Sequence, residues 1–210
     1  MENGWLQFEN AGGCSNVENF INGKLQSFNN LPKDNACYLR CFVLLDSDKT
    51  HPNAPLKGEF IKLKKFLEDN SISFHFLEKR CMENYLPDEV WADVKQTHDE
   101  TWIDAYLNAL SPLQKDYLDI AKGFTKKDKT GQAITPRQDL DIEIQQLFDN
   151  VSDANFDILD KGWQLPNFKK TFPELFKHHH THKNTLIQRT AHQQNAKELE
   201  HIIEKIKQLL

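Results

Sequence analysis

The feature that most restricts the fold of this chain is a long apolar run, CYLRCFVLLD at residues 37–46, that ends on an acidic residue. The run is rich in aliphatic and aromatic side chains and shows little of the polar alternation expected of a strand with one solvated face. Such a run is typical of a strand buried on both faces in a parallel sheet. We therefore predict a strand over residues 38–46 that is covered on both sides.

The segments that follow this run show first a helical and then an extended pattern. In PLKGEFIKLKKFLEDN, residues 55–70, apolar side chains recur at spacings of four, three and four, which predicts a helix with one buried face. These side chains are Leu56, Phe60, Leu63 and Leu67. In SISFHFLEK, residues 71–79, apolar residues alternate with others, which predicts a strand over residues 72–77.

The segment before the apolar run adds another strand and another helix. WLQFENA, residues 5–11, predicts a short strand that the glycine pair at 12–13 ends. Ser15 and Glu18 match a capping box, which predicts a helix from about residue 16 to 28. The order strand, helix, strand, helix, strand predicts an α/β architecture with a parallel sheet of about three strands over residues 5–80.

After residue 86 the sequence predicts mainly helices. PDEVWADVKQ opens with a proline and two acidic residues, which is a typical helix start. The closing segment, AKELEHIIEKIKQLL, has an apolar stripe at helical spacing, formed by Leu199, Ile202, Ile203, Ile206 and Leu210. We therefore predict two parts, an α/β core over residues 1–86 and a mainly helical region over residues 87–210.

Composition indicates a globular protein without a membrane-spanning segment. No apolar run approaches the roughly 20 residues that cross a bilayer, and the first residues lack the pattern of a signal peptide. We therefore expect a cytoplasmic location and no membrane partner. The net charge is −5, yet residues 161–210 carry nine basic against four acidic residues. This basic part either approaches a phosphate chain or simply forms solvated helix faces.

Two aspartates, Asp46 and Asp48, follow the apolar run within FVLLDSDKT. Residues i and i+2 of a strand point the same way, so the two carboxylates share a side if the strand extends that far. Open α/β sheets hold ligands at this end of their strands, and a Mg²⁺ ion would offset the repulsion between the carboxylates. Glu78 and Glu83, just beyond the next strand, would lie at the same edge. The alternative is a solvated turn with two incidental acids.

VLLDSDKT, residues 43–50, followed by FLEKRCMENYLPDEVW, residues 76–91, resembles the Toprim domain of OLD-family (overcoming lysogenization defect) nucleases. The upstream FENAGGCSNVENFI, residues 8–21, is similar to the strand, Gly-Gly turn and helix of that family. The resemblance implies a Toprim-like (Rossmann-like) parallel sheet followed by a mainly helical C-terminal region. It also implies a DNA endonuclease that uses Mg²⁺ or Mn²⁺, joined to an ABC-type ATPase, with a role in phage defence.

By the same resemblance, particular residues receive roles. Asp46 and Asp48 would be metal ligands, and Glu83 would serve a second metal. A lysine in the C-terminal region of relatives serves the scissile phosphate, and Lys169 and Lys170 are both candidates here. Two metal ions about 4 Å apart stabilise the attacking and the leaving oxygen in phosphodiester cleavage.

The chain also departs from the family pattern. A Toprim site needs a glutamate near the end of its first strand, commonly within EGxxD, and neither Glu2 nor Glu9 has that context. The P-loop motif GxxxxGK[ST] is absent from the sequence as well. We therefore expect a C-terminal portion of a larger enzyme, or one half of a split one, whose partner is an upstream ATPase segment or subunit. Self-association of the module stays open.

Three other interpretations compete with the nuclease. FVLLDSDKT also fits the first motif of haloacid-dehalogenase-type phosphatases, with Asp46 as nucleophile and Asp48 as general acid and base. However, Lys49 replaces the usual glycine, and the only late acidic cluster, DLDIE at 139–143, has a helical pattern. A second interpretation is a non-catalytic Toprim remnant that acts as an interaction module.

The third interpretation is a zinc site in HHHTH, residues 178–182. His178 and His182 have the i, i+4 spacing that binds a metal on a helix, and Glu174 is the nearest carboxylate in sequence. A solvated or phosphate-facing histidine run is the preferred interpretation of this segment.

Overall fold

The structure is a computed structural model that describes residues 9–27, 41–98, 100–124, 137–163 and 168–209, with backbone alone at 25–27 and 168–170. The described strands are β1 (Phe42–Leu45) and β2 (Ser73–Phe76). The described α-helices are α1 (Cys14–Ser27), α2 (Gly58–Asp69), α3 (Asp88–Val94), α4 (Glu100–Ala109), α5 (Pro112–Tyr117), α6 (Ile142–Leu147), α7 (Asp153–Leu159), α8 (Phe168–Leu175), α9 (Lys183–Thr190) and α10 (Glu198–Lys207). Two 3₁₀ helices span Met82–Tyr85 and Arg137–Asp139.

The two described strands pair in parallel, as predicted, with Phe42 opposite Ser73 and Leu45 opposite Phe76. Parallel pairing requires a crossover connection, and α2 lies in the segment that joins the strands. With a small parallel sheet and mostly helices, the architecture is α/β. Most of the strand predicted over residues 5–11 lies outside the described residues, and its described part, residues 9–11, does not belong to a strand.

The prediction that the central strand is buried on both faces is wrong for its described part. Leu45 is buried against α1 and α2, whereas Leu44 on the opposite face is 41% exposed. Side chains of a strand alternate between faces, so a sheet with a core on one side covers every second residue. The described strand is also shorter than predicted, and residues 31–40 lie outside the described residues.

Helix α2 confirms its predicted apolar face, because Phe60, Leu63 and Leu67 are all buried. Helix α1 begins earlier than predicted, at Cys14, so Ser15 lies inside the helix and does not cap it. Gly12 and Gly13 have φ of 80° and 117°, which glycine adopts without a steric cost, and the chain turns from them directly into the helix.

By contacts, the chain divides into two compact units. The sheet unit comprises Met1–Ser47, Pro55–Leu77 and Glu198–Leu210, and the helical unit comprises Asp48–Ala54 and Glu78–Lys197. The boundary at residue 86 stays a prediction.

The core of the sheet unit lies between the strands, α1 and α2 and includes Val17, Ile21, Leu63 and Leu67. Helix α10 contributes Ile202, which is buried as predicted, but Ile203 is 51% exposed, so the predicted stripe is too wide. The buried face of this helix instead includes Glu198, whose carboxylate lies 2.7 Å from Nε2 of His75 on β2.

The core of the helical unit is built from large aromatic side chains. Trp91 lies 4.9 Å, between ring centroids, from both Tyr106 and Trp163, and Trp102 stacks on Tyr106 at 5.2 Å. Helix α4 ends at Ala109 and α5 begins at Pro112. Helices dominate the described residues after 86, as predicted. None of the helices in the described ranges has both the length and the apolar character needed to cross a membrane.

Candidate functional site

The segment after β1 contains the two aspartates. Strand geometry ends at Leu45, Asp46 is exposed, Ser47 is buried and Asp48 is partly buried. Asp48 has φ of 53°, in the left-handed region, so the strand arrangement expected to align the two carboxylates does not extend to it. Left-handed backbone costs most residues roughly 1–2 kcal/mol; aspartate and asparagine adopt it more often than other residues with a Cβ, and glycine alone adopts it without a steric cost.

Hydrogen bonds to Arg80, which lies just beyond β2, hold this left-handed residue in place. The backbone N–H of Asp48 donates to the Arg80 carbonyl at 2.9 Å. The Arg80 guanidinium donates in turn to the Lys49 carbonyl at 3.3 Å and to the Asp119 carboxylate at 2.8 Å. A strained residue persists where its surroundings determine it from several sides, and Asp48 meets that condition.

The 3₁₀ helix Met82–Tyr85 positions Glu83 through its neighbours. The Asn84 amide is buried and donates to the carbonyls of Lys115, at 2.7 Å, and Leu118, at 3.0 Å, while its oxygen accepts the Cys81 N–H at 3.1 Å. Tyr85 is buried as well. Glu83 itself remains partly exposed. Asn84 and Tyr85 therefore serve the packing of this turn, and the position of Glu83 follows from theirs.

A buried ionic group, here named the Asp116 cluster, joins distant segments of the helical unit. It consists of Asp116 with three basic side chains: those of Lys79 and Arg189 are buried, and that of His192 is partly exposed. Asp116 Oδ1 lies 2.7 Å from Lys79 Nζ and 2.7 Å from Arg189 Nη1, and Oδ2 lies 2.6 Å from His192 Nε2. Lys79 also donates to the Arg189 carbonyl at 2.9 Å. The cluster thus ties the segment after β2 to α5 and α9.

The environment of the Asp116 cluster changes proton affinities. Burial opposes the charge of the Arg189 guanidinium, but the neighbouring Asp116 carboxylate favours it, and the pKa of Arg189 is raised. Burial also raises the pKa of the Tyr106 hydroxyl well above its ordinary value. Arg189 therefore stays charged and Tyr106 stays neutral across the ordinary pH range, which suits a structural ion-pair group.

The predicted site residues fall in different parts of the structure. Asp48 and Glu83 belong to the helical unit, and Asp46 belongs to the sheet unit. Lys169 and Lys170 lie in the first turn of α8, where the backbone alone is described. The Glu78 carboxylate accepts the Gln193 side-chain amide and the Asn195 backbone N–H, both at 3.4 Å, so it contacts the segment after α9.

The structure also describes the residues on which the phosphatase and the zinc-site interpretations depend. The acidic segment 139–143 runs from the end of the second 3₁₀ helix to the start of α6, and Leu140 and Asp141 between them are not helical. His178 and His182 do not share a helix, because α8 ends at Leu175 and α9 begins at Lys183; the helical i, i+4 geometry expected for them is wrong.

Known proteins add no assignment. Comparison of the chain with protein families, with curated proteins and with solved structures returns no match. The interpretation of the site therefore depends on the sequence motifs and on the local geometry described above.

Proposed function

We propose that the chain is the Toprim-like module of a metal-dependent DNA endonuclease of the OLD type, which works with an upstream ABC-type ATPase segment or subunit. The observation that carries the proposal is the backbone of Asp48. An acidic residue with left-handed backbone follows a parallel strand and is hydrogen-bonded to the segment after the next strand.

The strain at Asp48 supports a role for its carboxylate. Glycine would adopt the same backbone without a steric cost, so an aspartate here gives up stability that a simple turn would keep. Strained residues cluster at functional sites, where the surrounding structure holds them in place. Asp48 is the second acid of the DxD motif, which is the position that the resemblance assigns to a metal ligand.

The donor set suits a hard divalent cation. Asp46, Asp48 and Glu83 offer carboxylate oxygens, the ligands that Mg²⁺ and Mn²⁺ prefer over nitrogen and sulfur. When bound, the metal would activate water and stabilise the oxygens that gain charge in phosphodiester hydrolysis. Lys169 or Lys170 would offset charge on the scissile phosphate. Asn84 and Arg80 would keep the acid-bearing backbone in place.

The phosphatase alternative has less support. It requires late acidic residues that close the metal site from a strand end, whereas Asp139 and Glu143 lie in a 3₁₀ helix and in α6. The interaction-module alternative gives the Asp48 carboxylate no role, so it does not explain the strain at that residue.

The test is a nicking assay on supercoiled plasmid with Mg²⁺ or Mn²⁺. The 210-residue chain is assayed alone and together with an ATPase polypeptide that ends in EGxxD, fused upstream or added in trans. We expect little nicking by the chain alone and metal-dependent nicking by the combination. Asp48→Asn should abolish it, because asparagine keeps the left-handed backbone and removes the charge. Asp153→Asn, at a side chain that is 94% exposed, is the matched control.

Three results would overturn the proposal. Nicking that survives Asp48→Asn would remove this carboxylate from the chemistry. Efficient hydrolysis of small phosphomonoesters, with a phosphoryl group trapped on Asp46, would instead establish the phosphatase. A combination that binds the ATPase polypeptide but never nicks DNA would favour the interaction module.

A further inference from the structure

Three consecutive histidines lie in the turns that follow α8. The His178 N–H donates to the Leu175 carbonyl at 3.1 Å, and the Thr181 N–H donates to the His178 carbonyl at 2.8 Å. These turns bring the imidazoles of His178, His179 and His180 together, with ring centroids 4.1 to 5.4 Å apart. Three adjacent imidazoles repel one another when protonated, whereas neutral imidazoles are good metal ligands.

A carboxylate from another helix meets this histidine turn. Asp93 lies in the last turn of α3, a helix anchored in the aromatic core by Val90 and Trp91. Its Oδ2 lies 3.4 Å from Nε2 of His178 and 3.5 Å from Nε2 of His180. One ligand atom each from Asp93, His179 and His180 lies within 4.8 Å of the other two. All of these residues belong to the helical unit.

The donor set selects the class of metal. Two imidazole nitrogens and one carboxylate oxygen, with water in the fourth position, form a common arrangement around Zn²⁺. Ligand atoms around such an ion lie about 3.4 Å apart when metal–ligand bonds are about 2.1 Å. The His179 and Asp93 side chains are solvent-accessible, so rotation about their side-chain bonds can close the remaining distance. Mg²⁺, which prefers oxygen, suits this group poorly.

His178 has a different role from that of His179 and His180. Its Nδ1 accepts the His180 backbone N–H at 3.3 Å, so Nδ1 carries no proton in the neutral ring and Nε2 carries it. That Nε2–H faces Asp93 Oδ2. His178 thus holds the carboxylate by the kind of supporting contact that commonly orients metal ligands.

We propose that Asp93, His179 and His180 bind Zn²⁺ or a similar late first-row divalent ion, with His178 as a positioning residue and water completing the coordination. The bound ion would link α3 to the turn after α8. Because the unfolded chain does not bring Asp93 to the histidines, binding would favour the folded helical unit. This site is separate from the carboxylates proposed for the nuclease.

The experiment is a Zn²⁺ titration of the full chain by calorimetry in excess Mg²⁺, with Co²⁺ substitution followed by visible absorption. We expect one Zn²⁺ site per chain and a Co²⁺ spectrum of low coordination number. Asp93→Asn and His179→Gln should each weaken binding more than tenfold, and His178→Gln should weaken it by about tenfold. His201→Gln, at an exposed histidine on α10, is the matched control and should change nothing.

The Asp48→Asn variant distinguishes the Zn²⁺ site from the proposed nuclease site, because this substitution should leave Zn²⁺ affinity unchanged. Equal Zn²⁺ affinity of wild type and Asp93→Asn would overturn the proposal, because the histidine run alone would then bind the ion. Loss of Zn²⁺ binding in Asp48→Asn, or the absence of a saturable site in the wild type, would overturn it as well. The substituted side chains are partly or fully exposed, and far-ultraviolet circular dichroism confirms that each variant folds.

Discussion

At the residue scale, Asp48 is the position where backbone conformation and proposed chemistry restrict the same side chain. Its left-handed φ narrows the acceptable residues to a few, and only aspartate among them brings a carboxylate. Stability and metal binding therefore respond differently to substitution at this position, and a short series of variants separates them.

We predict that Asp48→Gly is at least as stable as the wild type, because glycine removes the strain. Asp48→Ala should be less stable than Asp48→Gly by about 1 kcal/mol. Alanine has a Cβ but no polar side-chain atom that could form a local hydrogen bond, so it favours right-handed backbone. Both variants should lose Mg²⁺ affinity. Urea denaturation gives the free energies of unfolding, and calorimetry gives the affinities. Equal stability of the alanine and glycine variants would contradict the left-handed backbone.

The Asp116 cluster makes a second prediction at this scale. Asp116→Asn leaves Lys79 and Arg189 buried without their carboxylate, and breaking a buried ion-pair group of this kind costs about 3–5 kcal/mol. The free energy of unfolding from urea denaturation should fall accordingly. Asp153→Asn breaks the exposed contact with Arg137 and should cost less than about 1 kcal/mol. Similar effects of the two substitutions would mean that the Asp116 cluster is solvated.

The sequence could single out the acidic residues proposed as metal ligands but not the Asp116 cluster. Asp46, Asp48 and Glu83 stand out because they follow apolar runs within short motifs. Lys79 and Asp116 are 37 residues apart, and Lys79 and Arg189 are 110 apart. Local patterns carry no information on pairing over such separations, and each of these residues looks like an ordinary surface charge. The histidine run stood out in the sequence, but its contact with Asp93 did not, for the same reason.

At the element scale, two turns of the helical unit meet through their backbones. One follows α5 and contains Gly123, and the other follows α7 and contains Gly162. Both glycines have positive φ, of 78° and 64°. A Cβ at Gly162 would overlap the Ala121 carbonyl oxygen, and one at Gly123 would overlap the Asp160 carbonyl oxygen. The Trp163 N–H also donates to the Ile120 carbonyl at 2.7 Å.

We predict that Gly162→Ala lowers the free energy of unfolding by more than about 2 kcal/mol, since it adds a backbone clash to an unfavourable φ. Gly58→Ala is the matched control. No atom lies within 4 Å of the Cβ it would add, and alanine favours the first turn of α2, so stability should stay equal or rise by up to about 1 kcal/mol. Thermal denaturation of both variants gives the comparison. A neutral Gly162→Ala would show that the two turns are not in contact.

The buried face of a helix was predicted correctly where the apolar spacing in the sequence matched a single hydrophobic core. Helix α2 buries the face that its spacing indicates. Helix α10 does so only in part, because Ile202 is buried but the buried face also includes Glu198 and leaves Ile203 exposed. Apolar periodicity cannot detect a charged residue that is buried with a partner.

At the scale of the whole molecule, charge limits what the chain does alone. The net charge of −5 repels the phosphates of DNA, although the last fifty residues are basic. We predict that the chain alone binds duplex DNA no more tightly than about 1 μM at physiological salt, in the range of non-specific binding. Fluorescence anisotropy over a salt series measures the affinity. Nanomolar binding would mean that DNA recognition does not require the proposed ATPase partner.

The parallel α/β architecture could be predicted from the sequence because parallel strands need a long crossover, and the pattern between β1 and β2 is clearly helical. The division of the chain into two units by contacts could not be predicted from the sequence. It assigns α10 to the sheet unit and Asp48–Ala54 to the helical unit, so each unit gathers segments that are far apart in sequence. Such assignments depend on long-range packing, which composition and periodicity do not encode.

The aromatic core of the helical unit has an optical consequence. Trp91, Trp102 and Trp163 lie 4.9 to 6.3 Å apart between ring centroids. At these separations the indole transitions couple, so near-ultraviolet circular dichroism carries a signal from the cluster as a whole rather than from separate chromophores. That signal depends on ring orientation and disappears when the rings part. The signal therefore reports on the packing of the helical unit without a label. The spectra of variants with substitutions elsewhere in the chain can be compared with it.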